Sequence, residues 1–149
     1  MNGELFFEDL KLGQKASFGK TITETDVVMF AAVTGDSNPM HLDAEYAKGT
    51  IFGERIAHGM LAAGLITKVL GTRLPGPGTI YLSQTLKFRA PVRIGQTVTA
   101  TVEVTALHAE RHRVTLRTVC TVAGEPVLEG EAYVSVPSRH HHGDPASPG

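Results

Sequence analysis

The second half of the chain alternates apolar and polar side chains at every other position, the mark of half-buried strands. Ile80, Leu82, Leu86 and Phe88 share one face, opposite Tyr81, Ser83, Thr85 and Lys87. Val98, Ala100, Val102 and Val104 then alternate with Thr97, Thr99, Thr101 and Glu103. Val114, Leu116, Cys120 and Val122 oppose Arg113, Thr115, Arg117 and Thr121; Leu128, Ala132, Val134 and Val136 oppose Val127, Glu129, Glu131 and Tyr133. Turn signals fall at Ala90-Pro91 with Ile94-Gly95, at residues 108–111, and at Gly124-Glu125-Pro126. Connections this short predict an antiparallel meander. A further strand is expected near residues 16–22.

The first half follows a different period. Thr23 with Asp26 three residues on forms a capping box, Val27, Val28, Phe30, Ala31 and Thr34 follow at helical spacing, and Gly35 supplies a C-terminal stop. Residues 57–70 (AHGMLAAGLITKVL) hold nine apolar residues in fourteen, two glycines, and only His58, Thr67 and Lys68 as polar residues. A helix apolar nearly all round is expected to be buried nearly all round. At about 1.5 Å per residue it spans roughly 21 Å, the length of a six-residue strand. A buried central helix with a long antiparallel sheet to curl around it predicts an α+β hot-dog fold.

Length and composition narrow the picture. The 149 residues suit one domain, expected over residues 1–136. Residues 137–149, with three prolines and two glycines and no hydrophobic period, are expected to be a disordered tail. His140, His141 and His142 lie in that tail, and a solvated segment is preferred over a metal site for them. A net charge of -1 argues against generic nucleic-acid binding. No apolar run approaches the roughly 18 residues of a membrane span. The opening residues carry no basic patch ahead of an apolar stretch, so no signal peptide is expected. Cys120 is the single cysteine and cannot form an internal disulfide, which predicts a cytoplasmic protein.

The candidate chemistry lies between the two helices, in Thr34-Gly35-Asp36-Ser37-Asn38-Pro39-Met40-His41. Pro39 holds Asn38 extended and Gly35 permits a sharp exit from the helix, so the chain folds back and Asp36 can approach His41. A carboxylate beside an imidazole suits general acid–base work, because His titrates near neutrality and Asp can orient it or share its water. The local pattern alone also allows a capping Asp and a surface His. His108 and His112 fall at a hairpin without carboxylate or thiol ligands at metal spacing, and no metal is expected.

The run Gly35-Asp36-Ser37-Asn38-Pro39-Met40-His41 followed by Ala47 resembles the signature of the MaoC-like, (R)-specific enoyl-CoA hydratases, in their short single-domain bacterial form. Residues 52–61 (FGERIAHGML) resemble that family's lead into the central helix. Tyr81, Gln84, Phe88, Ala90-Pro91-Val92 and Gly95 resemble its later strand pattern. The likeness spans residues 5–136. It implies that Asp36 and His41 hold and activate a water for attack on C3 of a trans-2-enoyl-CoA, with Gly59 as backbone donor to the thioester oxygen. It also implies no cofactor beyond the coenzyme A thioester substrate, a homodimer or higher homo-oligomer, and roles in fatty acid metabolism, including polyhydroxyalkanoate supply. Supporting roles are expected for Asn38 in the turn, His58 through a hydrogen bond at the helix N-terminus, Gln84 through the active-site loop or central helix, and Thr67 as a small hydroxyl near the site. Lys68, Arg89 and Arg93 are candidates for the phosphates. Two other readings stay open: a hot-dog acyl-CoA thioesterase, and a non-catalytic acyl-binding domain.

Overall fold

A computed structural model describes residues 5–140. Phe7–Asp9 forms a 3-10 turn, followed by strand β1 (Lys15–Thr21) and helix α1 (Glu24–Thr34). Two short helices, α2 (Pro39–Leu42) and α3 (Ala44–Lys48), precede the long helix α4 (Gly59–Thr72). Strands β2 (Ile80–Gln84), β3 (Lys87–Phe88), β4 (Thr97–His108), β5 (Arg113–Val122) and β6 (Glu125–Ser135) complete the chain. The sheet is antiparallel in the order β1-β4-β5-β6-β2, with β3 also on β6.

The period-two reading holds through β4 and β5. Val98, Ala100, Val102, Val104, Val114, Leu116 and Cys120 are all buried against α4 and its neighbours. The same face includes Thr118, fully buried, which the alternation alone passed over as polar. The β5–β6 turn is tighter than expected. Only Ala123 and Gly124 lie outside the strands, both at positive φ (51° and 83°), which matches the twist of a two-residue hairpin. Glu125 and Pro126 therefore open β6, beside a register shift at Cys120/Thr121.

The expected single strand over residues 80–88 is two. Its register on β6 slips between Tyr81 and Ser83, and pairing breaks between β2 and β3. At the break, the Thr85 amide donates to the Glu131 carbonyl (2.9 Å) and the Glu131 amide to the Thr85 hydroxyl (3.0 Å). The carbonyl of Thr85 lies where a Cβ on Gly130 would be, 1.8 Å away, so only glycine fits there.

Helix α1 begins at Thr23 with both halves of the capping box formed, and ends at Gly35 in the left-handed region (φ 81°). Helix α4 packs on β4, β1 and β5, and the Cys120 thiol meets the Ala62 carbonyl at 3.5 Å. This is the hot-dog arrangement. The expectation of burial all round is corrected: Ala62, Ala63, Ile66, Val69 and Leu70 are buried, whereas Met60, Gly64, Thr67, Lys68 and Gly71 are exposed. One sheet curls around one side of the helix, and the open side carries mostly small residues.

Residues 137–139 are hydrogen-bonded to the N-terminal turn. The Phe7 amide donates to the Pro137 carbonyl, Ser138 to Glu8, and Arg139 to Asp9. Residues 141–149 of the expected tail, with His141 and His142, lie outside the described residues. No helix among the described residues is long and apolar enough to cross a membrane.

Candidate active site

The segment between α1 and α4 is tied down by local bonds that its sequence specifies. After Gly35 breaks the helix, the Asp36 amide donates to Thr34 Oγ1 (3.1 Å) and the Asn38 amide to Asp36 Oδ1 (3.2 Å). Asn38 then caps α2, its Oδ1 accepting from the Met40 amide (3.1 Å), with Pro39 as the first helical residue. The asparagine thus holds the turn, and α2 carries His41 inward to 7% exposure while Asp36 stays exposed.

His41 is oriented through its far nitrogen. Nδ1 lies 2.7 Å from the Ile56 carbonyl, and a carbonyl can only accept, so the proton sits on Nδ1. Nε2 is left with a lone pair available as a base. The backbone behind it is clamped by Arg55, which the sequence reading did not single out. Its Nε donates to the His41 carbonyl (2.7 Å), and its two terminal nitrogens grip Glu24 of α1 at 2.8 and 2.9 Å. A bidentate pair of this kind fixes geometry as well as charge. The only hint in the sequence was an arginine between two site segments.

His58 is the N-cap of α4, yet its side chain makes no capping bond. It reaches back instead to the Asp36 carbonyl (3.1 Å) and stacks on His41, with ring centroids 3.9 Å apart and planes 26° from parallel. Next to it, Gly59 opens the helix, so its N–H has no intrahelical acceptor and lies at the positive end of the helix dipole. Ligand atoms of Asp36, His41 and His58 lie within 4.8 Å of one another, a grouping that could in principle hold a metal ion. The geometry suits proton transfer better. Each imidazole already has one nitrogen on a carbonyl, and the remaining nitrogen of His58 is buried without a hydrogen-bond partner.

Asp36, His41, Gly59, Met60, Phe88 and Val127 line a cavity of about 530 Å³. Phe88, half exposed on β3, is its wall beside the helix start: a Cβ on Gly59 would lie 2.7 Å from the ring. Thr67 and Gln84 do not line this cavity. They border a second one of about 370 Å³ between α4 and β2, with Met60 common to both. The partners of Gln84 also differ from expectation. Its amide nitrogen donates to Thr118 Oγ1 (2.9 Å) and to the Thr85 carbonyl (2.8 Å), and its oxygen accepts from the Tyr81 hydroxyl. Gln84 thus satisfies the buried Thr118 within the sheet, and its hydrogen bonds reach neither the loop nor α4. Burial, with Cys120 nearby, pushes the Tyr81 hydroxyl up to about 12, so it serves as a donor and not an acid.

Of the three basic candidates, Arg89 lies at the main cavity, beside its ion-pair partner Glu129. Arg93 donates to the Phe52 carbonyl (3.1 Å) and pairs with Glu54 (3.5 Å). Lys68 sits over the Phe18 ring of β1. His108 meets Thr115 Oγ1 (3.0 Å), and His112 packs edge-on against Phe7.

A family model described as MaoC like domain matches residues 9–125. The chain is 62% identical to the (R)-specific enoyl-CoA hydratase of Rhodospirillum rubrum over 134 residues, covering 90% of this chain and 93% of that protein. It is 56% identical to the 3-hydroxybutyryl-CoA dehydratase of Methylorubrum extorquens, covering 91% and 86%. The unliganded R-hydratase of Pseudomonas aeruginosa superposes with a TM-score of 0.86 at 46% identity, covering 91% of this chain and 87% of that one.

Proposed function

The chain belongs to the MaoC-like domain family, and on that footing we propose that it catalyses the reversible, (R)-specific hydration of trans-2-enoyl-CoA to (3R)-3-hydroxyacyl-CoA. The observation that carries the mechanism is the pairing of an exposed Asp36 carboxylate with a buried His41 whose proton is fixed on Nδ1. A water held between Asp36 and the bare Nε2 of His41 gives up a proton as its oxygen bonds to C3. The C2=C3 electron pair moves toward C2, and negative charge builds on the thioester oxygen. The Gly59 N–H, at a helix start and free of intrahelical bonding, faces that charge. The pair returns a proton to C2, and no group is oxidised or reduced. Dehydration is the same path in reverse.

The apolar walls supplied by Met60, Phe88 and Val127 suit the acyl chain, and Arg89 at the rim suits a coenzyme A phosphate. The protein works as a homodimer, a reading supported by the open face of α4 and by β2, which is paired on one side only. Its compartment is the cytoplasm, supported by a lone, buried thiol.

Loss of enoyl-thioester absorbance with crotonyl-CoA tests the activity, with Asp36→Asn and His41→Gln alongside. Both variants are expected to lose hydration. Wild-type rates in both would sink the acid–base assignment. Release of free thiol without loss of the conjugated double bond would make the protein a thioesterase instead.

A further inference from the structure

His58 has no part in the bond-making above, yet it is 2% exposed at the heart of the site. Burying a polar ring is costly unless the ring is paired, and this one forgoes the obvious pairing with the helix it caps. Its Nε2 donates to the main-chain carbonyl of Asp36, 22 residues away in sequence. The ring lies against His41 and also against Phe30 of α1, at 4.7 Å. Nδ1 is buried with no hydrogen-bond partner. A proton there would have no acceptor, so the hydrogen bond to Asp36 and the bare Nδ1 together specify one tautomer and one ring orientation.

The Asp36 turn shows what that orientation serves. Among the described residues, the other hydrogen bonds of residues 35–38 run to neighbours within four positions. The bond from His58 is the long-range tether of the segment bearing the carboxylate. The same ring is a flat surface under His41, and the next residue in the chain is Gly59. We infer that His58 is a positioning residue. It locks the main chain of Asp36 and the plane of His41 to the start of α4, so that base, carboxylate and oxyanion donor keep one relative geometry. The inference rests on the reading of Asp36 and His41 as the acid–base pair.

Three substitutions separate its two contacts. His58→Phe keeps a ring for stacking and removes the donor. His58→Gln supplies an amide N–H at about the reach of Nε2 without a ring. His58→Asn supplies the same amide too far back to meet the Asp36 carbonyl. With crotonyl-CoA, His58→Phe is expected to lose about 10²-fold in kcat while KM moves less than about threefold, the mark of misplaced reacting groups instead of lost substrate binding. His58→Gln is expected to regain about tenfold of that kcat, and His58→Asn none of it. Thermal unfolding of each variant confirms that it is folded. If His58→Phe is unfolded, the Gln-against-Asn comparison still decides.

The inference is overturned if folded His58→Phe turns over at the wild-type rate, or if the Gln and Asn variants have equal kcat. Asp36→Asn is run in parallel to separate the two levels. An inactive Asp36→Asn with a fully active His58→Phe removes only the role of His58. A fully active Asp36→Asn removes the acid–base reading on which that role depends.

Discussion

Replacing Gly59 with alanine puts two explanations for this glycine against each other. A Cβ here would lie 2.7 Å from Cε1 and 2.9 Å from Cδ1 of Phe88, well inside carbon–carbon contact. The backbone of Phe88 is held by the pairing of β3 with Leu128 on β6, but the ring is 52% exposed and can swing toward solvent. Overpacking of about 1–3 kcal/mol should therefore fall at its lower end, and alanine returns up to about 1 kcal/mol of helix propensity. The expected net loss is about 1 kcal/mol or less, a fall in Tm of about 2–4 °C. Activity should suffer far more, because the displaced ring and the new methyl both sit where the thioester must approach the Gly59 N–H; a loss of about 10²-fold in kcat is expected. The decisive variant is Gly59→Ala with Phe88→Ala, compared with both single changes by thermal unfolding and crotonyl-CoA hydration. Removing the ring should cancel the clash, giving a favourable coupling of about 0.5–1 kcal/mol in stability, while kcat stays low because the methyl still stands beside the N–H. Additive stabilities would show that Phe88 does not occupy that space. A Gly59→Ala enzyme with wild-type turnover would refute the placement of the thioester.

Other outcomes follow from features away from the reaction. Gly130→Ala drives a methyl against the Thr85 carbonyl, 1.8 Å from its position, and the two hydrogen bonds between Thr85 and Glu131 resist retreat; a loss of about 3 kcal/mol or more is expected, lowering Tm by about 10 °C, and an unchanged Tm would contradict the packing at the β2–β3 break. Burial pushes the Cys120 thiol up to about 12, so a thiol reagent at mildly alkaline pH should label it only as fast as the protein unfolds. Labelling at the rate of a free thiol would show that α4 does not cover it. The Lys20 ammonium beside Asp26 holds that carboxyl below its ordinary 3.8. A depressed folded value stabilises the protein above pH 3.8, and the contribution drains away as pH falls through the lower folded value. Asp26→Asn should therefore flatten the acid limb of a urea-midpoint profile, whereas parallel profiles would show that the pairing does not form in solution.

What could be read from the chain was whatever depends on local repetition or capping. Alternation in β4 and β5, the Thr23–Asp26 box and the Gly35 stop are encoded within a few residues and hold in the fold. The strand of residues 80–88 was misread as continuous because its break is decided on β6, where Gly130 makes room for the Thr85 carbonyl. The burial of α4 was overstated for a similar reason. Apolar content records that a helix can be covered, not how far one sheet reaches around it. In the site, Asp36, His41 and Asn38 were legible as a run, since the bonds that shape their turn, from the Asn38 amide to Asp36 and from the Met40 amide to Asn38, are short-range. The clamp of Arg55 on Glu24 and His41, and the reach of His58 to Asp36, join segments 14 to 31 residues apart, and spacing says nothing about such pairs.

Asp36, His41 and the Gly59 N–H all come from one continuous stretch of a single chain, held to one another by Arg55 and His58. On the proposed assignment, these three groups of each site are inherited together within one chain. In a mixed population of intact and Asp36→Asn chains, total activity should track the fraction of intact chains in a straight line. A defective copy would dilute its companions without poisoning them, so at the level of the cell a loss-of-function allele of this site should be recessive.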